Sequence, residues 1–180
     1  MPRAYIGVGS NIDPEANIPA ALRMLAEVAT IVGISTFYRT PALGPPSADA
    51  SDASGGIIPR SITAEFINGV VAVETDLPPR ELKFGVLRPI ERVLGRVRDA
   101  EKFAPRTIDL DIAVYGDVVI DEPDLVIPDP GIMSRAFLAM PLAELAPELF
   151  VDAVRSQDAG SMTALDEFTQ RLRREIVHEP

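Results

Sequence analysis

Four stretches of the chain have the apolar pattern of β-strands. Residues 4–11 form a short apolar run that ends in Gly and Asn, which suits a buried strand and a turn. Residues 30–39 and 63–75 are rich in β-branched and aromatic side chains. Residues 106–115 alternate aspartate with leucine and isoleucine. The sequence therefore predicts four strands.

Other stretches repeat apolar residues at the spacing of a helix, which predicts helices over residues 14–29 and 78–94 and near the end of the chain. Asp13 and Pro14 read as a helix cap and first residue, but an interior proline costs about 3 kcal/mol, so Pro19 predicts a start near Asn17. Residues 136–147 predict short helices split by a proline. The apolar positions are Ile18, Leu22, Leu25 and Val28; Leu82, Val86, Ile90, Val93 and Leu94; and Leu165, Phe168, Leu172 and Ile176.

The order strand, helix, strand, strand, helix, strand is that of an α+β, ferredoxin-like sandwich with an antiparallel sheet and a C-terminal helical extension. Residues 41–61 are rich in Pro, Ser, Ala, Asp and Gly and predict a long mobile loop between two strands. We expect residues 45–60 and 96–104 to act as lids. Gly85 and Pro89 predict a weak or kinked middle in the second helix.

Composition narrows the chemistry. With 180 residues and 47% hydrophobic side chains, we expect one domain over 1–180. A net charge of −10 argues against nucleic acid and anionic membrane as partners. The chain has no cysteine, and its one histidine, His178, lies next to the end, so a Ser-His-Asp triad, a histidine zinc site and an imidazole base are disfavoured. Without a signal-like or membrane-spanning run, cytoplasm is the default location, and a monomer is one possibility.

Asp109 and Asp111 interrupt the apolar run of the fourth predicted strand. Side chains two apart on a strand share one face and lie about 6.6 Å apart. Two carboxylates at that spacing suit Mg²⁺, which takes oxygen ligands and keeps water or phosphate as well. The alternative is that the two aspartates pair with arginines on a solvated edge.

Three arginines, Arg96, Arg98 and Arg106, precede this strand. Guanidinium groups beside metal-binding carboxylates are the arrangement that phosphoryl transfer uses. The alternative is that the arginines of "GRVR" are favourable cations at a helix C-terminus that Gly95 caps. The two interpretations are compatible. The chain has neither a P-loop nor a dinucleotide-binding glycine motif.

The motifs "YIGVGSN", "FYRTPALG", "FINGVV", "LGRVR", "PRTIDLDI", "YGD" and "PLAELAPEL" occur in an order and spacing that resembles the 6-hydroxymethyl-7,8-dihydropterin pyrophosphokinase family. The resemblance covers residues 4–150. It implies a ferredoxin-like sandwich that transfers pyrophosphate from ATP to a reduced pterin with two Mg²⁺ ions, in folate biosynthesis.

The resemblance also implies roles for individual residues. Asp109 and Asp111 match the metal ligands, and Arg96 and Arg106 match catalytic arginines that contact the ATP phosphates. The other matched positions are Arg98 and Ile112 on the ATP side, and Thr40, Pro41, Leu43, Phe66, Asn68 and Phe137 on the pterin side. A flat, neutral pterin fits between two aromatic rings beside an amide, although ordinary core packing also explains both phenylalanines.

Departures from the family pattern keep a second hypothesis open. The chain reads "IPDP" at 127–130 where the family usually has "IPHP", so Asp129 brings negative charge towards the ATP site. The loop after Gly44 is longer than usual, and Pro89 interrupts a helix that is normally continuous. Asp129 motivates the alternative of a non-catalytic pterin- or nucleotide-binding relative, and a purely structural role leaves the aspartates and arginines unexplained.

Overall fold

The computed structural model describes residues 1–41, 65–96, 106–149 and 162–177. Most of the predicted loop 41–61, most of the two predicted lids and Leu43, Arg98 and His178 lie outside these ranges. The strands are β1 (Arg3–Ser10), β2 (Thr30–Ile34), β3 (Tyr38–Thr40), β4 (Phe66–Glu74), β5 (Asp109–Tyr115), β6 (Ile120–Glu122), β7 (Leu125–Ile127) and β8 (Thr163–Ala164).

The central sheet is antiparallel and has the order β5-β1-β4-β3-β8, with β2 also paired to β4. The first and last long strands in the sequence therefore lie side by side, as the predicted ferredoxin-like arrangement requires, so the α+β prediction is confirmed. The predicted strand 30–39 is divided between β2 and β3. A separate hairpin joins β6 to β7.

The α-helices include α1 (Pro14–Ala26), α2 (Pro79–Glu81), α3 (Arg88–Val93), α4 (Ala136–Leu145) and α5 (Asp166–Ile176). A π-helical segment (Leu82–Leu87) joins α2 to α3, and a 3₁₀ turn (Pro130–Met133) precedes α4. The predicted weakness at Gly85 and Pro89 thus takes the form of a widened π turn. None of the described helices combines the length and the apolar character needed to cross a bilayer.

Two prolines proved less disruptive than the sequence predicts. α1 begins at Pro14 and runs through Pro19, and α4 runs through Pro141 as one helix. Both helices bury these prolines, so packing against the sheet offsets the missing hydrogen bond. Asp13 is the residue before α1, but its φ is 44° and its side chain caps nothing, so the predicted capping interaction is wrong.

The two faces of the sheet have separate cores. The larger core joins one face to α1, α5 and the helical segment around the π turn, with Leu22, Leu87 and Leu172 fully buried. The smaller core packs α4 against the other face through Leu138 and Leu142. This leaves one end of the second face uncovered by α4, where the polar residues described next lie.

Candidate active site

Strand register brings Asp109, Asp111 and Asn68 to one face of the sheet. Gly9 of β1 stands opposite Asn68 on one side and Asp109 on the other, and Gly7 stands opposite Asp111. Residues directly opposite each other in an antiparallel sheet point the same way. The burial pattern of β5 agrees, because both aspartates are half-buried while Leu110 and Ile112 enter the main core. The predicted common face of the two aspartates is confirmed.

Both oxygens of Asp109 are bound by arginines. The Arg96 guanidinium donates to Oδ1 and the Arg106 guanidinium donates to Oδ2. Burial acts to raise the pKa of Asp109, but the charges and hydrogen bonds of Arg96 and Arg106 outweigh it and hold the pKa below its ordinary value. Asp109 is therefore ionised at neutral pH. The alternative prediction, in which the aspartate pairs with arginines, therefore describes Asp109, and these pairs bring two guanidinium groups to the strand.

The C-terminus of α3 places Arg96. Gly95 has a φ of 79°, a conformation that favours glycine, and reverses the chain direction there. The Arg96 N–H donates to the Glu91 carbonyl and the Gly95 N–H donates to the Arg92 carbonyl, which is a Schellman motif. The Arg96 side chain is only 8% exposed and donates to Glu91 Oε1 at 2.6 Å. The predicted glycine cap is thus confirmed, and it directs Arg96 towards the sheet.

Glu91 holds the Arg96 side chain in place through an ion pair. Its side chain is 2% exposed, and it contacts Arg96, Arg88 at 3.0 Å and the Leu110 N–H at 2.8 Å. Burial raises the pKa of the Glu91 carboxyl to about 7, against the opposing effects of the Leu110 amide and the Arg96 and Arg88 charges. Because it binds both an arginine and the outer edge of β5, Glu91 fixes the helix against the strand.

The end of β1 places Arg106. Asn11 Oδ1 accepts the Arg106 N–H at 2.6 Å, and the Asn11 and Ile12 N–H groups donate to the Arg106 carbonyl. The Ser10 hydroxyl donates to the Thr107 carbonyl at 2.6 Å. The last two residues of the motif "GVGSN", Ser10 and Asn11, therefore fix the segment that leads into β5.

Asp111 is paired with Lys83, whose Nζ lies 2.8 Å from Oδ1. The Asp111 side chain is 44% exposed, so it keeps access to solvent. Among the described residues, no three His, Cys, Asp or Glu side chains are grouped closely enough to hold a metal. Two carboxylates fit Mg²⁺, which usually takes one or two from the protein and completes its shell with water and substrate phosphate.

The pterin-side residues lie at the same end of the sheet. Asn68 is buried and donates to Thr40 Oγ1 at 2.8 Å, which sets the orientation of its amide. Phe66 begins β4 and Phe137 lies in the first turn of α4, and both rings are partly exposed. Exposed Pro41 follows Thr40 directly. These positions are compatible with a flat ligand, and the individual pterin contacts stay predictions.

Ile112 and Asp129, which the family resemblance puts on the ATP side, do not both point into the face that carries Asp109 and Asp111. Ile112 is 1% exposed and belongs to the main core, so its side chain faces away from Asp109 and Asp111. Asp129 Oδ1 accepts the Gly131 N–H at 2.6 Å and caps the 3₁₀ turn. The Asp129 N–H donates to the Ala113 carbonyl, which keeps this loop beside the outer edge of β5. Both ATP assignments stay predictions.

The sequence reasoning missed Glu91 and Lys83. Glu91 falls three to four residues from Leu87 and Leu94, so a carboxylate on the apolar side of a helix was an available signal. Lys83 gave a similar signal, because it lies four residues before Leu87. Both residues bring charge to the site from the helical segment that covers the edge of β5.

Comparisons with known proteins give the family of this chain. A sequence model described as 7,8-dihydro-6-hydroxymethylpterin-pyrophosphokinase (HPPK) matches residues 5–147. The chain is similar to 2-amino-4-hydroxy-6-hydroxymethyldihydropteridine pyrophosphokinase of Pseudomonas aeruginosa, with 39% identity over 82% of each protein. The protein of the same name from Methylorubrum extorquens is 36% identical over 88% of this chain and 92% of its own length. That from Synechocystis is 38% identical over 81% and 67%.

Among solved structures, the chain resembles Plasmodium falciparum HPPK-DHPS with a TM-score of 0.53 and 13% identity. The alignment covers 99% of this chain and 46% of that one, so the present chain spans about half of its length. At this identity the likeness concerns the fold alone, and the sequence matches carry the assignment. The chain belongs to the 7,8-dihydro-6-hydroxymethylpterin-pyrophosphokinase family.

Proposed function

We propose that this chain transfers the pyrophosphoryl group of ATP to the hydroxymethyl oxygen of 6-hydroxymethyl-7,8-dihydropterin, with release of AMP, in folate biosynthesis. One observation supports the proposal most strongly. Asp109, held by Arg96 and Arg106, shares a sheet face with Asp111 and with the oriented amide of Asn68. The groups that we propose to bind phosphate, metal and pterin therefore lie at one end of one face.

In this proposal Asp109 and Asp111 hold two Mg²⁺ ions through their carboxylates. When bound, the ions would supply positive charge that balances the charge of the phosphate oxygens. Arg96 and Arg106 turn their guanidinium groups from Asp109 to the phosphates, since both carry donors suited to phosphate oxygens. Glu91 keeps the base of Arg96 fixed during that change.

The chain's contribution to the reaction is positioning and electrostatics. Asn68, with its amide fixed by Thr40, holds the pterin edge, and Phe66 and Phe137 contact its faces. The pterin hydroxyl oxygen forms a bond to the β-phosphorus, and the bond from that phosphorus to the bridging α,β oxygen breaks. AMP leaves with the bonding electrons, and the hydroxyl proton passes to solvent.

The net charge of −10 favours small anionic substrates held by a local arginine cluster, and it does not favour nucleic acid or anionic membrane as a partner. The composition suits a protein of the cytoplasm that works as a single domain. Analytical ultracentrifugation with and without substrates tests whether a monomer suffices.

The reaction is tested by incubating the protein with ATP, Mg²⁺ and the reduced pterin and separating the nucleotides. We expect AMP in a 1:1 ratio with pterin diphosphate, whereas an ordinary kinase releases ADP. Asp109→Asn and Asp111→Asn should each abolish AMP formation while the circular dichroism spectrum stays native. A wild-type protein that binds pterin and ATP without forming AMP would instead be the non-catalytic relative.

A further inference from the structure

Lys83 is a buried lysine that the proposed reaction leaves without a role. It is 6% exposed, and its ammonium lies 2.8 Å from Asp111 Oδ1 and 6.0 Å from the centre of the Phe84 ring. Lysine is rarely buried unless its charge is paired. The ion pair with Asp111 compensates this charge. In the metal-free protein, Lys83 in turn neutralises the Asp111 carboxylate.

Lys83 lies inside the π turn, on its buried side. Pro89 has no N–H to donate to the Gly85 carbonyl, and the Arg88 N–H bonds to the Lys83 carbonyl five residues back. The extra residue in this turn rotates the chain, so Leu82, Lys83 and Leu87 are all buried. In a regular helix Lys83 and Leu87 would also share a face, whereas Leu82 and Leu87 would lie about 140° apart around the axis. Such turns occur frequently at functional sites.

The two carboxylates on the sheet face are thus both neutralised by the chain itself. Arg96 and Arg106 take the oxygens of Asp109, and Lys83 takes Oδ1 of Asp111. A divalent cation that approaches Asp111 meets an ammonium group already hydrogen-bonded to one of its two oxygens. Like charges at this distance repel, so the ammonium and a divalent ion compete for the carboxylate.

We infer that Lys83 is a further binding residue with two partners: its ammonium keeps the Asp111 carboxylate neutralised until nucleotide arrives, and then moves to a phosphate oxygen. This inference rests on the proposed function, because it takes Asp111 as a metal ligand. By this exchange the protein binds the metal weakly alone and strongly together with nucleotide. This coupling is reciprocal, because nucleotide raises the affinity for the metal by the same factor by which the metal raises the affinity for nucleotide. Removing the ammonium group should therefore reduce both effects equally.

The test is a titration of the full-length protein with Mn²⁺, followed by electron paramagnetic resonance, with and without a non-hydrolysable ATP analogue. In Lys83→Met we expect Mn²⁺ alone to bind roughly tenfold tighter, the order expected when one like charge near the ion is removed. The gain in Mn²⁺ affinity that the analogue produces should shrink by a similar factor. Unchanged Mn²⁺ affinity without nucleotide would overturn the inference.

Arg80→Met is the matched control. Arg80 precedes Lys83 by three residues and also stacks on Phe84, but it pairs with Glu122 and Asp124 on the surface. Its loss should leave Mn²⁺ binding unchanged, and a tenfold gain there too would show a general charge effect and overturn the role of Lys83. Should Lys83→Met lack a native circular dichroism spectrum, Lys83→Gln replaces it, since glutamine removes the charge and still donates to Asp111.

Asp111→Asn separates failure of this inference from failure of the proposed site. If Asp111→Asn binds Mn²⁺ as tightly as the wild type, the metal site itself is misplaced and the inference falls with it. If Asp111→Asn loses Mn²⁺ while Lys83→Met behaves as the wild type, only the role of Lys83 is wrong. Weak Mn²⁺ binding in Asp111→Asn together with tighter binding in Lys83→Met supports both.

Discussion

At the scale of single residues, the site is a balance of charges on one strand face. Asp109 is shared by Arg96 and Arg106, and the buried Glu91 holds Arg96 from the other side. Each ion pair is partly or fully buried, so removing one partner leaves a charge without compensation. The acids and bases of the site should therefore respond to mutation and to pH in predictable directions.

Glu91 should make stability fall as pH rises towards neutrality. Its folded-state pKa of about 7 lies above its ordinary value of 4.5, so the folded protein binds the proton more tightly. This contribution is fully present below about pH 4.5 and is lost as pH rises through about 7. Relative to Glu91→Gln, the free energy of unfolding of the wild type should drop by about 2 kcal/mol between pH 5 and 7.5.

Urea denaturation of both proteins at several pH values measures this difference. Asp109 affects stability in a lower pH range. Because its pKa is lowered in the folded protein, the stability that it contributes is lost only as pH falls below the ordinary range for aspartate. Parallel curves for the wild type and Glu91→Gln from pH 5 to 7.5 would contradict the raised pKa of Glu91.

Asp129 should tolerate loss of its charge but not of its hydrogen bond. Its carboxylate caps the 3₁₀ turn through the Gly131 N–H. Asp129→Asn keeps an acceptor and removes a negative charge, so we expect unchanged thermal stability and several-fold tighter binding of the ATP analogue with Mg²⁺. Asp129→Ala loses the cap and should cost about 1 kcal/mol. Calorimetry that finds equal nucleotide affinity in Asp129→Asn and the wild type would place Asp129 outside the ATP site.

At the scale of elements, two glycines, Gly9 and Gly95, decide how neighbouring strands and helices present the site. Gly9 lets Asn68 and Asp109 stand on either side of it, and Gly95 ends α3 so that Arg96 turns back towards Asp109. Gly85 lies in the π segment on an exposed surface and has no such duty. Replacing each by alanine should therefore give different results.

Gly9→Ala should weaken pterin binding selectively. A Cβ at Gly9 would lie 2.8 Å from Asn68 Oδ1, so the amide must rotate and leave Thr40. We expect the KM for the pterin to rise about tenfold, with little change in the KM for ATP, because a buried hydrogen bond is lost. Gly7→Ala is the control, since its Cβ would lie 3.4 Å from Leu138 Cδ1 and does not approach Asn68. Equal pterin KM values in the two variants would contradict this role of Gly9.

Gly95→Ala and Gly85→Ala should shift stability in opposite directions. A Cβ at Gly95 would meet no atom within 4 Å, but alanine is strained at a φ of 79°, so the variant should lose about 1 kcal/mol. A Cβ at Gly85 makes an ordinary 3.6 Å contact with Glu81, and helix propensity should add about 0.5 to 1 kcal/mol. Thermal unfolding measures both changes in stability. If the substitution at Gly95 displaces Arg96, the KM for ATP should rise in Gly95→Ala and not in Gly85→Ala.

At the scale of the whole molecule, α5 belongs to the same core as the strands although it lies beyond the matched residues 5–147. Leu172 is fully buried, the Thr169 hydroxyl accepts the Phe37 N–H, and the Arg173 side chain donates to the Ile34 carbonyl. The C-terminal helix therefore closes the core over β2 and β3 and should unfold together with the sheet.

Leu172→Ala should lower the free energy of unfolding by about 2 to 5 kcal/mol, because it leaves a cavity in a closed core. Gln170→Ala, on the exposed side of the same helix, should change it by less than about 0.5 kcal/mol. Circular dichroism and tyrosine fluorescence should report coincident transitions in Leu172→Ala, with substrate KM values unchanged. A separate early transition would show that α5 is an independent unit.

The sequence by itself determined the features that depend on local pattern. Period-two alternation put Asp109 and Asp111 on one face, helical spacing located α1 and α5, and glycine after a basic helix end predicted the cap at Gly95. Each of these rests on steric preferences within a few residues. The order of strands and helices was enough to predict the antiparallel α+β arrangement.

Only the tertiary structure decided which side chains meet across elements. In the helical segment that contains the π turn, Leu87 and Glu91 are buried, Val86 is only partly buried and Val93 is 70% exposed, and Lys83 pairs with Asp111. Packing against the sheet also carried α4 through its proline as one helix. These outcomes depend on non-local burial and charge pairing, whose free energies exceed local propensities, and a pattern read along the chain does not contain them.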